Sequence, residues 1–125
     1  MGASQRALLD TSVLIEILDK GRLSLLPKDP YLSVISIYEY IRYKRDRHFY
    51  KERLEEAFSV LGLTNKVIER AAEIFASLKA RGVVVSDNDV FIAATAVAYG
   101  LPLITKDRYF LKIKTAAGLD VVFID

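Results

Sequence analysis

The chain has 125 residues, 52% of them hydrophobic, a formal net charge of +2, one histidine (His48) and no cysteine. That length suits one domain, residues 1–125, with a sizeable core, and is too short for two. The composition excludes a disulfide framework, a thiolate metal site and the paired imidazoles of a zinc site, and the small net charge does not by itself argue for a nucleic-acid partner.

After an N-terminal stretch read as flexible, residues 1–5, "RALLD" is a short buried strand and "TSVLIEILDKG" a helix. Val13 with Ile17, and Leu14 with Leu18, stand at i, i+4 spacing, and Gly21 acts as the stop. "LPKDP" marks a loop, then "YLSVISIYEYIRYKR" gives a brief strand and a helix. "RHFYKERLEEAF" is a charged helix and "SVLGL" a strand. "TNKVIERAAEIFASLKARG" is amphipathic, with Val67, Ala71, Ile74, Phe75 and Leu78 on one face, Thr64 or Asn65 as cap and Gly82 as terminator. There follow a strand "VVVS", a helix "DNDVFIAATAVAYG", a strand "LPLIT", a loop or short helix "KDRYFLKI" and a closing strand "DVVFI". Strands alternating with helices predict an α/β protein with a mainly parallel sheet and helices on both faces. The N-terminus carries no signal-peptide pattern, and no apolar run approaches the ~18 residues of a membrane span, so a cytoplasmic protein is expected.

In parallel sheets the functional crevice lies at the carboxyl ends of the strands. Asp10 follows "ALL", Asp87 and Asp89 follow "VVVS", Asp107 lies just past "LPLIT", and Glu39 is on the helix after "YLSVIS". Each has a purely structural alternative. Asp10 could cap the helix it precedes. Glu39 fits a capping box begun by Ser36, or an i, i+3 pair with Arg42. Asp87 could be the N-cap of its helix, with Asp89 in the first turn, where negative charge is favoured. Asp107 could be a loop acid between Lys106 and Arg108. Taken together they read differently, because carboxylates converging on one sheet edge repel one another unless a cation compensates. Ligation by oxygen alone suits Mg²⁺ or Mn²⁺, which can activate a water and stabilise displacement at phosphorus.

The segments "LLDTSVLIE", "SVISIYEYI" and "DVFIAATAVAYGLPLITKDRYF", in this order, resemble the PIN-domain family, and most of all its VapC-type toxins. The resemblance covers nearly the whole chain. It implies a three-layer α/β/α sandwich and an Mg²⁺- or Mn²⁺-dependent ribonuclease, the toxin of a toxin–antitoxin pair. Its acidic quartet falls on Asp10, Glu39, Asp89 and Asp107, as metal ligands and catalytic groups, with Thr11, Ser12 or Thr105 as supporting hydroxyls. Asp87 is then an extra acid. The resemblance further implies a small antitoxin partner and a homodimer.

"IRYKRDRHFYKER" carries six Lys or Arg, among them Arg42, Lys44, Arg45, Arg47 and Lys51, interleaved with Tyr43, His48, Phe49 and Tyr50. Such a segment suits single-stranded RNA, or equally a solvated helix whose aromatics are core; the resemblance adds an antitoxin or dimer surface. A dehalogenase-type phosphatase would need a second Asp where Ser12 stands. A receiver-like domain would need an acceptor Asp in "SVLGLTNKV", which has none. The remaining rival is a PIN-like module that binds RNA or protein without cutting.

Overall fold

The computed structural model describes residues 5–125, so residues 1–4 of the N-terminal stretch lie outside the described residues. Five parallel strands run β1 (Arg6–Leu9), β2 (Asp29–Ser33), β3 (Ser59–Leu61), β4 (Leu103–Thr105) and β5 (Val121–Phe123), in the spatial order β3-β2-β1-β4-β5. Leu8 stands opposite Tyr31 on one side and Leu103 on the other, which makes β1 the centre of the sheet. Six helices cover it: α1 (Thr11–Leu18), α2 (Val34–Ile41), α3 (Arg47–Ala57), α4 (Asn65–Ala80), α5 (Asp87–Ala98) and α6 (Phe110–Ala117).

The layers follow from the two-residue period of a strand, which sends successive side chains to opposite faces. Ala7 and Leu9 face one way, with Leu32 and Ile104, and are covered by α1, α2 and α3 through Val13, Leu14, Ile17, Ile37, Tyr40 and Leu54. Leu8 and Leu103 face the other way and are covered by α4, α5 and α6 through Val67, Ile74, Leu78, Ile92 and Phe110. The result is the three-layer α/β/α sandwich with a parallel sheet. At α4 the apolar face is narrower than its spacing predicts: Val67, Ala71, Ile74 and Leu78 are buried, whereas Phe75 is half exposed.

Four local expectations are corrected. "VVVS" is not a strand. Its alternation is real, since Val83 and Val85 pack on the core and Val84 is exposed, but the segment lies over the helical layer, where it has no strand to pair with. It is set there by Gly82, whose φ of +72° ends α4 and lets the Val83 N–H return to the Leu78 carbonyl. The loop expected through "LPKDP" gives way to β2 at Asp29, whose N–H donates to the Gln5 carbonyl; Pro30 is tolerated near the strand's start. The cap of α2 is Ser33, whose Oγ accepts the Ile35 N–H, so Ser36 is already helical and no capping box forms. The cap of α5 is Ser86, whose Oγ accepts the Asp89 N–H, so Asp87 is the first residue of the helix.

Candidate active site

Asp10 follows β1 and opens α1. Its N–H extends the sheet ladder to the Ile104 carbonyl, which places the side chain at the carboxyl edge of the sheet. The carboxylate does not cap the helix. One oxygen, Oδ2, instead accepts from Ser12 Oγ at 2.8 Å and from Thr105 Oγ1 at 2.7 Å, the latter 95 residues away in sequence. Burial pushes its pKa up, and Glu39 adds to the rise, against the bonds from Thr105, Ser12 and the Thr11 backbone.

Glu39 reaches the same edge from α2. Thr11 Oγ1 donates to Oε1 at 2.6 Å and Asn88 Nδ2 to Oε2 at 3.0 Å, so both oxygens are held and the carboxylate bridges α1 to α5. Asp89 enters from the first turn of α5. Its pKa is raised to about 6 by burial first, then by the charges of Asp10, Asp107 and Glu39, with the Ser86 bond opposing. Asp89 therefore lies within electrostatic reach of the other three acids. Asp107 is exposed just past β4; its N–H donates to Thr105 Oγ1 at 2.9 Å and its Oδ1 accepts the Tyr109 N–H at 2.9 Å. Asp87 instead borders a cleft of about 270 Å³ between α4 and α5, together with Ile68, Phe75 and Phe91.

The geometry gathers Asp10, Glu39, Asp89 and Asp107 with Thr11, Ser12 and Thr105 at one edge. Asn88 belongs to it too, and the sequence reading missed it; its place between two candidate acids was the available signal. Among the described residues none of the four acids has a Lys, Arg or His ion-pair partner. Nor are any three acids closed into a ready-made cage. Each is instead engaged by hydroxyl, amide or backbone donors, which orient the carboxylates without neutralising them. A donor set of carboxylate and hydroxyl oxygens, short of positive charge, fits a hard divalent cation.

The basic segment divides. Lys44 lies over the rings of Tyr40 and Tyr50, at 4.7 and 5.1 Å, and 3.9 Å from Asp19. Lys51 pairs with Glu55 at 2.8 Å, and Arg47 donates to the Lys44 carbonyl. Arg42 and Arg45 make no close ion pair among the described residues, although the charge of Glu39 reaches Arg42. The aromatics divide as well: Tyr50 packs on the core, and Tyr43 is 83% exposed.

The chain belongs to the PIN-domain family, whose model matches residues 7–116. It is 34% identical over 113 residues to the ribonuclease VapC1 of Methanocaldococcus jannaschii, an alignment covering 87% of this chain and 82% of that protein. Among solved structures it resembles a member of the VapBC family of toxin–antitoxin systems, VapBC-5 from Mycobacterium tuberculosis, at 27% identity and a TM-score of 0.76, covering 97% of this chain and 100% of that one. FitAcB from Neisseria gonorrhoeae is similar at 28% identity and a TM-score of 0.71, over 94% and 96% of the two chains.

Proposed function

We propose that this protein is a metal-dependent endoribonuclease that cleaves RNA phosphodiester bonds, acting as the toxin of a toxin–antitoxin pair. The observation that carries the reading is the cluster of four carboxylates at the sheet edge, three of them within electrostatic reach of the fourth, Asp89, and none in a close ion pair with a cationic side chain among the described residues. Membership of the PIN-domain family and the likeness to a ribonuclease VapC1 support it.

Asp10, Glu39, Asp89 and Asp107 would hold Mg²⁺ or Mn²⁺. A bound ion of this kind lowers the pKa of a water and stabilises charge developing at phosphorus. The chain's own part is orientation. Ser12 and Thr105 fix Oδ2 of Asp10, Thr11 and Asn88 fix both oxygens of Glu39, and the Thr105 hydroxyl also ties down the Asp107 backbone. Preorganised groups of this sort need no rearrangement as charge develops. The non-catalytic alternative is the weaker reading, since every acid of the motif is present.

A small antitoxin beside the toxin, a homodimeric assembly and action in the cytoplasm belong to the same proposal. No helix of the described residues is long and apolar enough to cross a membrane. The test is incubation of purified protein, freed of any partner, with total cellular RNA and Mg²⁺ or Mn²⁺, followed by mapping of the cut ends. Cleavage is expected with either ion and is expected to stop with EDTA. Undiminished cleavage in EDTA would overturn the metal requirement, and absence of cleavage under every condition would overturn the nuclease.

A further inference from the structure

Arg42 closes α2 one helical turn after Glu39, a spacing that puts the two side chains on one face. Its guanidinium lies 5.2 Å from the centre of the Tyr38 ring and 5.1 Å from that of Tyr43. Both rings are open to solvent, Tyr38 at 53% and Tyr43 at 83%. The stack is thus a cation between two aromatic side chains, beside the acid cluster and facing water. Neither ring is part of the packed core, and Arg42 makes no close ion pair among the described residues, unlike Lys51, which is paired within its own helix; its guanidinium is hydrogen-bonded to the Tyr38 side chain and feels the charge of Glu39.

We propose that Tyr38, Arg42 and Tyr43 form a subsite for a nucleotide of single-stranded RNA next to the scissile bond, an inference that rests on the nuclease reading. The open ring faces stack on unpaired bases, and the guanidinium meets a backbone phosphate. This complementarity favours RNA over a protein, because one nucleotide presents a flat π surface and an anion a few ångströms apart. Duplex RNA buries its base faces in its own stack and leaves the tyrosines only backbone to touch. Net charge points the same way. Arg45, three residues on in the segment after α2, is also without a close ion pair among the described residues and adds positive charge to that segment. A phosphate chain is drawn to it.

The experiment measures fluorescence anisotropy of a labelled twelve-nucleotide single-stranded RNA of mixed sequence, and of the same RNA as a duplex, on the full chain carrying Asp10→Asn to prevent cutting. Tyr38→Ala and Tyr43→Ala are each expected to weaken single-strand binding about tenfold, the scale of one base–aromatic stack, and to leave duplex binding within about twofold. Tyr43→Phe recovers the affinity lost in Tyr43→Ala. Arg42→Gln lowers the salt dependence of binding by close to one counterion. In the cleaving protein the two alanine variants raise KM and leave kcat within about twofold. Melting temperatures report folding, which side chains this exposed do not control. Single-strand affinity unchanged by both alanine substitutions overturns the subsite while the nuclease reading stands. Loss of antitoxin binding with RNA affinity intact also overturns it, by giving the surface to a protein. A protein that never cuts RNA, yet binds it in a tyrosine-dependent way, would keep the subsite and remove the nuclease.

Discussion

Helix α1 carries two buried acids in opposite circumstances. Asp10, 6% exposed at its start, meets only hydroxyls, a backbone N–H and other carboxylates, and its pKa is raised. Glu16, 4% exposed in its second turn, is surrounded by Lys20 at 2.7 Å, Arg22 at 2.7 Å and Lys106 at 3.2 Å, and its pKa is lowered to about 2. The Lys20 and Arg22 bonds lead that depression, with Lys106 adding to it. Both acids are out of water on one short helix, so burial alone does not distinguish them. What distinguishes them is whether the chain supplies the counter-charge. Around Glu16 it does, and the acid ties α1 to the segment after β4 and, through Arg22, to the Asp125 carbonyl. Around Asp10 it withholds it, and negative charge is left for something from outside.

Replacing an acid in each setting should therefore move stability in opposite directions. Asp89→Asn is the largest expected effect: cleavage falls by on the order of a thousandfold, as on removal of a preorganised electrostatic group, while the fold becomes more stable. The sign follows from its pKa, which is about 6 in the folded protein against 3.8 as an ordinary Asp. The protonated form's contribution is complete below 3.8 and is lost as the pH rises through about 6, so at neutral pH the charged side chain costs roughly 1–2 kcal/mol after solvent screening. The variant should melt about 3–6 °C above the parent at pH 7.5, and the two should coincide near pH 4. Equal melting temperatures at both pH values would show that the cluster carries no repulsion.

Glu16→Gln should do the reverse, lowering the melting temperature modestly at pH 7.5, because three cations, each partly exposed, lose the charge they share. Its contribution is present above 4.5 and disappears as the pH falls toward 2, so parent and variant should converge in acid. Asn88→Ala should reduce kcat by about tenfold with little change in melting temperature, since it removes one of the two donors that orient Glu39. The smallest effect belongs to Asp87→Asn, which should stay within about twofold of the parent in cleavage rate. Its charge sits in the first turn of α5 beside the α4 cleft, and it is not among the charges that act on Asp89 or Asp10. An inactive Asp87→Asn beside an active Asp89→Asn would reassign the third acid.

The alternation of strands and helices was readable from the chain wherever an apolar period coincided with a boundary residue, as at Thr64 before α4 and Gly82 after it. It misled where two residues of one type competed or where tertiary pairing decides. Ser33 and Ser36 both suit a cap, and only the pairing of β2 with β1 and β3 selects Ser33. Val83, Val84 and Val85 have strand chemistry and strand alternation, yet no neighbouring edge. At the site, Asp10 and Asp107 could be found because they stand just past strands and Asp89 because it lies in a first helical turn, whereas Glu39, in the second turn of α2, was marked only by its helix following a strand and by the family resemblance. The contacts that orient them were out of reach, because Asn88 meets Glu39 across 49 residues and Lys106 meets Glu16 across 90. Such pairings are set by sheet order and leave no local pattern.

That sheet order also governs when the site comes into being. Asp10 is synthesised well before the hydroxyl that holds it, since Thr105 stands 95 residues later, on the strand that pairs directly with its own. At about 5–20 residues per second, roughly 5–20 s of translation separate the two. Throughout that interval the nascent chain has one wall of the crevice and lacks the other. A chain cut short before β4 therefore lacks the assembled acid cluster, and the crevice is complete only once β4 has been added.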